Sequence, residues 1–165
     1  MGVGRNRAQP AADIEALYRA RSKAFLYTAT ALLGDGEAAL DVVQDAFAVA
    51  LRRRDTFRGE AALETWLWRI MLNLARDRLR SLQRNGWKGT PAPDESGAPD
   101  PSADDLRALL LGLPERQRLA VFLRYYADLS YAEIAEALGV RPGTVAAALH
   151  AAHAALRQRI GEVAG

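Results

Sequence analysis

An all-α fold in two small helical domains is what the sequence predicts, and three observations carry the prediction. Apolar residues recur at three- and four-residue intervals through most of the chain, the signature of amphipathic helices. No segment shows the two-residue alternation of a strand. The stretch NGWKGTPAPDESGAPDPSA at 85–103 holds four prolines and almost no apolar periodicity, so it reads as a flexible linker dividing the helical material into blocks at 11–84 and 104–161.

In the first block, Ile14, Leu17, Tyr18, Phe25, Ala29 and Leu32 place a helix over Asp13 to Leu33, and Gly-Asp-Gly at 34–36 ends it. Leu40, Val43, Phe47 and Leu51 fall at i, i+3, i+7 and i+11 and predict a second helix from Glu37 to Arg54 with those residues inward. Phe57, Arg58 and Gly59 break the period. A third helix follows from about Ala62 to Arg84, with Leu63, Leu67, Ile70 and Leu74 facing inward. Residues 1–10 carry no such pattern and are expected to be a disordered N-terminus.

In the second block, Asp104 to Gly112 and Pro114 to Ala127 read as helices. Ser130 and Glu133 have capping-box spacing and start a short helix that runs to Leu138. Gly139 supplies a turn and Pro142 suits a first helical position. A last helix then runs to about Ile160, with Val145, Leu149, Ala152, Leu156 and Ile160 inward. Short helix, glycine turn and longer helix are the parts of a helix-turn-helix.

Composition narrows the function. Half of the 165 residues are hydrophobic and a quarter charged, as in an ordinary folded domain. Cysteine is absent, which excludes disulfides, thiolate metal sites and a thiol nucleophile and suits a reducing compartment. MGVGRNRAQP lacks the apolar core of a signal peptide, and no apolar run approaches the length of a membrane span. A cytoplasmic protein without membrane insertion is expected. His150 and His153 lie one turn apart, but no carboxylate or further His stands near them in sequence. No metal and no cofactor are therefore expected. With no glycine-rich phosphate loop and carboxylates scattered over helix surfaces, the chain does not read as an enzyme.

The net charge of +2 is unevenly spread. Residues 1–84 carry 14 Lys/Arg against 10 Asp/Glu, residues 85–103 carry 1 against 3, and residues 104–165 carry 7 against 7. A polyanion is drawn first to the N-terminal block.

The third helix has the most informative surface. Trp66, Arg69, Asn73, Arg76 and Arg80 fall at i, i+3, i+7, i+10 and i+14 on one face. Aromatic rings stack on unpaired bases, arginines neutralise phosphates and an amide bonds base edges, which is what single-stranded nucleic acid requires. The competing reading makes Trp66 and Trp68 core aromatics with arginines solvating the surface. Arg52 to Arg54 in a row, with Arg58 in the adjoining loop, enlarge the positive surface and favour binding. The second helix has an outward stripe of Asp41, Gln44, Asp45 and Ala48. Spacing alone leaves it open whether this is a solvated face or a surface for a protein partner.

DVVQDAFAVALRRRDTFRGEAALETWLWRIMLNLARDRLR resembles region 2, and LPERQRLAVFLRYYADLSYAEIAEALGVRPGTV resembles region 4, of the extracytoplasmic-function group of bacterial sigma-70 RNA polymerase sigma factors. Two long motifs in order, with the right gap, make the resemblance specific. It implies a factor that directs core polymerase to promoters and assists their melting. Asp41, Gln44 and Asp45 match the helix that grips the coiled-coil clamp of the beta-prime subunit. Arg54, Phe57, Arg58, Trp66, Arg69, Asn73, Arg76 and Arg80 fall in the part that melts and reads the downstream, minus-ten element. Region 4 is implied to sit on the flap of the beta subunit and read the upstream, minus-thirty-five element. An anti-sigma protein is the implied regulator. A linker of about 20 residues stretches to roughly 66 Å, roughly 19 base pairs of duplex, so the two blocks can reach separate elements. Its acids, Asp94, Glu95 and Asp100, suit a segment threading a basic channel.

The last helix departs from the family pattern. Where such factors carry Lys, Ser and Arg after Thr-Val, this chain has Ala146, Ala147 and Ala148. Arg141, the Thr144 hydroxyl, Ala147 and His150 remain for weak contact, with alanine methyls able to pack on thymine methyls. The second reading follows from this loss: a sigma-like decoy or adaptor that binds an anti-sigma protein or polymerase without initiating.

Overall fold

The computed structural model of the chain describes residues 9–86 and 108–164. The linker expected at 85–103 and the start of the helix expected from Asp104 fall largely outside the described residues. So do residues 1–8.

Helix α1 spans Gln9–Leu33, α2 Gly36–Arg52 and α3 Leu63–Arg84, with a 3-10 turn at Arg54–Thr56 before α3. A short helical stretch at 108–111, α4, precedes α5 (Glu115–Tyr125), α6 (Tyr131–Leu138) and α7 (Pro142–Ala164). No strand occurs among the described residues.

The turn between α1 and α2 is written in Gly-Asp-Gly. Gly34 takes φ 71 and donates its N–H to the Thr30 carbonyl at 2.7 Å, closing α1. Asp35 then caps α2, its Oδ1 accepting from Glu37 N at 2.9 Å and Ala38 N at 3.4 Å.

Helix α2 buries a different stripe from the one expected. Val43 and Phe47 are buried, but Leu40 and Leu51 are 44% and 39% exposed. The centre of the buried face is Ala39, Ala46 and Ala50, about a quarter turn away. Alanines let α2 approach α1 and α3 closely, leaving the larger residues at the margin.

Helix α3 is rotated in the same way. Thr65, Leu67, Trp68, Met71, Leu72 and Ala75 are buried, whereas Leu63, Ile70 and Leu74 are half-buried. The cause is Trp68, fully buried and stacked on Phe25 with centroids 3.8 Å apart and planes 12° apart. Phe47 meets the edge of Phe25 at 5.2 Å, so one aromatic column joins α1, α2 and α3.

In the C-terminal part, the capping box forms as the sequence indicates. Ser130 N donates to Glu133 Oε2 at 2.7 Å and Glu133 N to Ser130 Oγ at 3.2 Å. Gly139, at φ 68, turns the chain into α7. Ser130→Ala should cost about 1 kcal/mol, read as a lower denaturation midpoint. An unchanged midpoint would mean that the cap is not what starts α6. Val145, Ala148, Leu149 and Ala152 seat α7, but Ile160 is 51% exposed and does not belong to the inward stripe. There Arg159 holds the helix instead, donating to the Leu109 and Gly112 carbonyls at 3.3 Å. Arg118 donates to the Leu111 carbonyl at 2.9 Å, so two guanidinium groups cap the end of α4. Burial lowers the pKa of Arg118, opposed by the Glu115 carboxylate.

Helices α1 and α3 also pack against α5 and α6, so the described parts of the two blocks share one apolar core.

Candidate nucleic-acid interface

The face expected to read nucleic acid starts at the turn before α3. Arg54 donates to the Leu51 carbonyl at 2.7 Å and Thr56 Oγ1 to the Arg53 carbonyl at 2.7 Å, tightening the exit from α2. Gly59, at φ 76, then turns the chain back toward α3. This path lays the half-buried Phe57 ring 5.3 Å from that of Trp66, itself half-buried, and leaves Arg58 exposed. Two adjacent rings make an aromatic ledge on which a base can stack.

Arg69 and Asn73 stand exposed one and two turns along α3 from Trp66. The face expected to bind nucleic acid and the core aromatic are thus separate groups: Trp68 belongs to the core and Trp66 to the surface. Arg80 is exposed and paired with Asp77 on its own helix, an exposed pair that costs little to break. Arg76 is the exception, half-buried with Nε 3.7 Å from Glu115 Oε1 of α5.

Glu64 has a role that the sequence pattern did not indicate. Its Oε1 accepts from Arg21 Nε at 2.9 Å and from Trp68 Nε1 at 3.4 Å. The Glu64–Trp68 spacing of one helical turn is the signal that could have found the second bond. Nothing local could have found the first.

On α2, Asp41, Gln44 and Asp45 are exposed, and neither acid has an ion pair among the described residues. Leu40, Ala48 and Leu51 are exposed on the same helix. Acids interleaved with large apolar side chains suit a protein partner better than a purely solvated face.

The helix-turn-helix presents Arg141, Gly143, Ala146, Ala147 and His150 to solvent, with Thr144 half-buried. Ala148 is only 8% exposed and is not on this surface. Tyr125 Oη lies 2.8 Å from His153 Nε2, so this imidazole is engaged with α5. Among the described residues no group of His, Cys, Asp and Glu could hold a metal ion, and no helix is long and apolar enough to cross a membrane. Because Ala146 and Ala147 are the open positions, changing them to Lys and Arg should steepen the salt dependence of duplex binding by about one unit of slope for each additional phosphate neutralised. Titrating both full-length proteins over a salt series checks this, and parallel slopes would show that α7 does not approach the backbone of DNA.

Residues 17–85 match sigma-70 region 2, and residues 103–156 match sigma-70, region 4. The chain is 33% identical over 154 residues to the RNA polymerase sigma-E factor of Streptomyces coelicolor, covering 90% of this chain and 86% of that one. It is 28% identical over 167 residues to the ECF RNA polymerase sigma factor SigW of Bacillus subtilis, covering 90% and 88%. In fold it is similar to the sigma factor RpoE of Bartonella quintana, solved in complex with the anti-sigma factor NepR. The TM-score is 0.72 at 25% identity, over 90% of this chain and 97% of that one. CnrH, solved with the cytosolic domain of CnrY, superposes with a TM-score of 0.71 at 24% identity, over 94% and 95%.

Proposed function

We infer that the chain, which belongs to the extracytoplasmic-function group of the sigma-70 RNA polymerase sigma factors, directs core polymerase to promoters and helps to open them. The observation that carries the mechanism is the Phe57–Trp66 ledge followed along α3 by exposed Arg69 and Asn73. The ledge stacks a base unpaired from the downstream element, Asn73 bonds a base edge, and Arg54, Arg58, Arg69, Arg76 and Arg80 neutralise the strand's phosphates. Melting is favoured because the separated strand gains stacking and charge interactions that the duplex cannot offer.

The α2 face, with Asp41, Gln44 and Asp45, docks on the beta-prime clamp, and region 4 sits on the beta flap. Region 4 then adds weak upstream binding through Arg141, Thr144, Ala147 and His150. An anti-sigma protein is the regulating partner, a reading supported by the similarly folded sigma factor RpoE of Bartonella quintana, solved in complex with the anti-sigma factor NepR. The protein acts in the cytoplasm, where polymerase is, and the chemistry of RNA synthesis belongs to polymerase rather than to this chain.

Reversing Asp41 and Asp45 to Lys should weaken association with core polymerase by about tenfold or more, since opposed like charges at an interface are costly. The helical fold should survive, because exposed substitutions seldom affect stability much. Core affinity measured by titration, with circular dichroism as the control, tests the assignment. Unchanged affinity would reduce the α2 stripe to a solvated face. The exposed alanines of α7 favour the decoy as the second reading, and only initiation itself separates the two.

A further inference from the structure

Glu64 is a half-buried carboxylate that the reading of DNA leaves unused. Its side chain is 25% exposed, and Oε1 accepts from Arg21 Nε of α1 at 2.9 Å and from Trp68 Nε1 at 3.4 Å. Arg21 and Phe25 stand one turn apart on α1, as Glu64 and Trp68 do on α3. The two helices therefore meet in two rungs, the ion pair of Arg21 with Glu64 and the stack of Phe25 on Trp68. Glu64 ties the rungs together, since one oxygen serves both the guanidinium and the indole.

The turn bracketed by Glu64 and Trp68 is the one that carries Trp66. Helix α3 starts after Ala62 with no side-chain cap, and Glu64 is the acid of its first turn. That turn is held by backbone bonds such as Trp66 N to the Ala62 carbonyl at 3.1 Å, by the carboxylate near the helix N-terminus, and by the rungs to α1. Trp68 is fully buried, so its N–H needs an acceptor, and Glu64 supplies it. Trp66 and Trp68 project about 200° apart around the helix axis. Any rotation of the first turn that brought an unbonded Trp68 N–H toward water would also move the Trp66 ring from its place 5.3 Å from Phe57.

We propose that Glu64 is a positioning residue for promoter opening, which through Arg21 and Trp68 fixes the rotation of the first turn of α3 and so keeps Trp66 beside Phe57. It acts through the ledge and makes no contact of its own with the strand. A carboxylate beside a face that attracts phosphates opposes binding, and pairing with Arg21 offsets that charge. The inference rests on the reading of the Phe57–Trp66 ledge as the place where an unpaired base stacks.

The test is a double-mutant cycle on the full-length protein, assembled with core polymerase at saturating concentration and read as strand opening on promoter DNA. Glu64→Ala should lower opening by roughly tenfold, the size expected when hydrogen bonds to a charged group are lost. In a Trp66→Ala background the same change should lower it by less than about twofold, because the ledge is already gone. Glu64→Gln keeps an acceptor for the indole but loses the charge that faces Arg21. It should give an intermediate loss, again confined to the background with Trp66, and it serves if Glu64→Ala is poorly folded. Core affinity should stay at the parent's value throughout. Parent-like opening by Glu64→Ala would overturn the positioning role. So would an equal loss with and without Trp66, which is what a role in stability alone produces. The cycle also separates the two layers: a loss with Trp66→Ala but an additive Glu64→Ala removes the positioning role alone. A parent that opens no promoter, or a Trp66→Ala variant that opens like the parent, removes the reading of the ledge and the positioning role with it.

Discussion

Trp66→Ala is expected to lower promoter opening by roughly tenfold to a hundredfold, since one base stack is worth about 1–3 kcal/mol. The ring is half-buried against Phe57 rather than sunk in the core, so its loss removes the ledge and leaves Phe57 without its neighbour. Core polymerase binding should be nearly unchanged, because the α2 face lies elsewhere on the surface. Asn73→Ala should act in the same direction, removing the base-edge amide from an exposed position. The measurement is strand opening in the assembled holoenzyme at saturating concentration. Parent-like opening by either variant would show that this face of α3 does not hold the melted strand.

Trp68→Ala is expected to have the largest effect on stability, about 3–5 kcal/mol, as for other large aromatic truncations in cores. Its ring is fully buried and stacked on Phe25, which in turn meets Phe47, so the cavity would open where α1, α2 and α3 converge. A loss of about 3–5 kcal/mol is a large share of a small domain's total stability. Denaturant unfolding followed by far-ultraviolet circular dichroism checks it. A loss below about 1 kcal/mol would place Trp68 outside the core, given the usual cost of such cavities. Two tryptophans separated by one residue are thus expected to fail in different assays, one in opening and the other in folding.

The parts of this fold legible from sequence are those set by short-range chemistry. Gly34 and Gly139 relieve steric conflict at positive φ, and Ser130 with Glu133 bonds its own backbone, so neighbouring residues suffice to place these turns and caps. The buried face of α2 lies away from the expected one because large apolar residues dominate a periodicity. Ala39, Ala46 and Ala50 contribute little to that signal, yet they sit at the centre of the buried face. Trp68 could not be told from Trp66 by spacing, since only the presence of Phe25 across the core decides which ring is buried. The bridge from Arg21 to the Ala127 carbonyl joins positions 106 residues apart and ends on a backbone atom, which no side-chain pattern encodes. For the candidate site, the amide and arginines of α3 were legible as one helical face, while the partial withdrawal of Arg76 by Glu115 depends on how the halves meet.

Whether the chain initiates transcription is decided by reconstituting it with core polymerase from the source organism on a library of genomic promoters. The factor should produce discrete start sites that share a downstream element, and Trp66→Ala should abolish or strongly reduce them while core binding persists. Stable core binding with no promoter-specific start from the parent protein would contradict the initiator role and leave a decoy in its place.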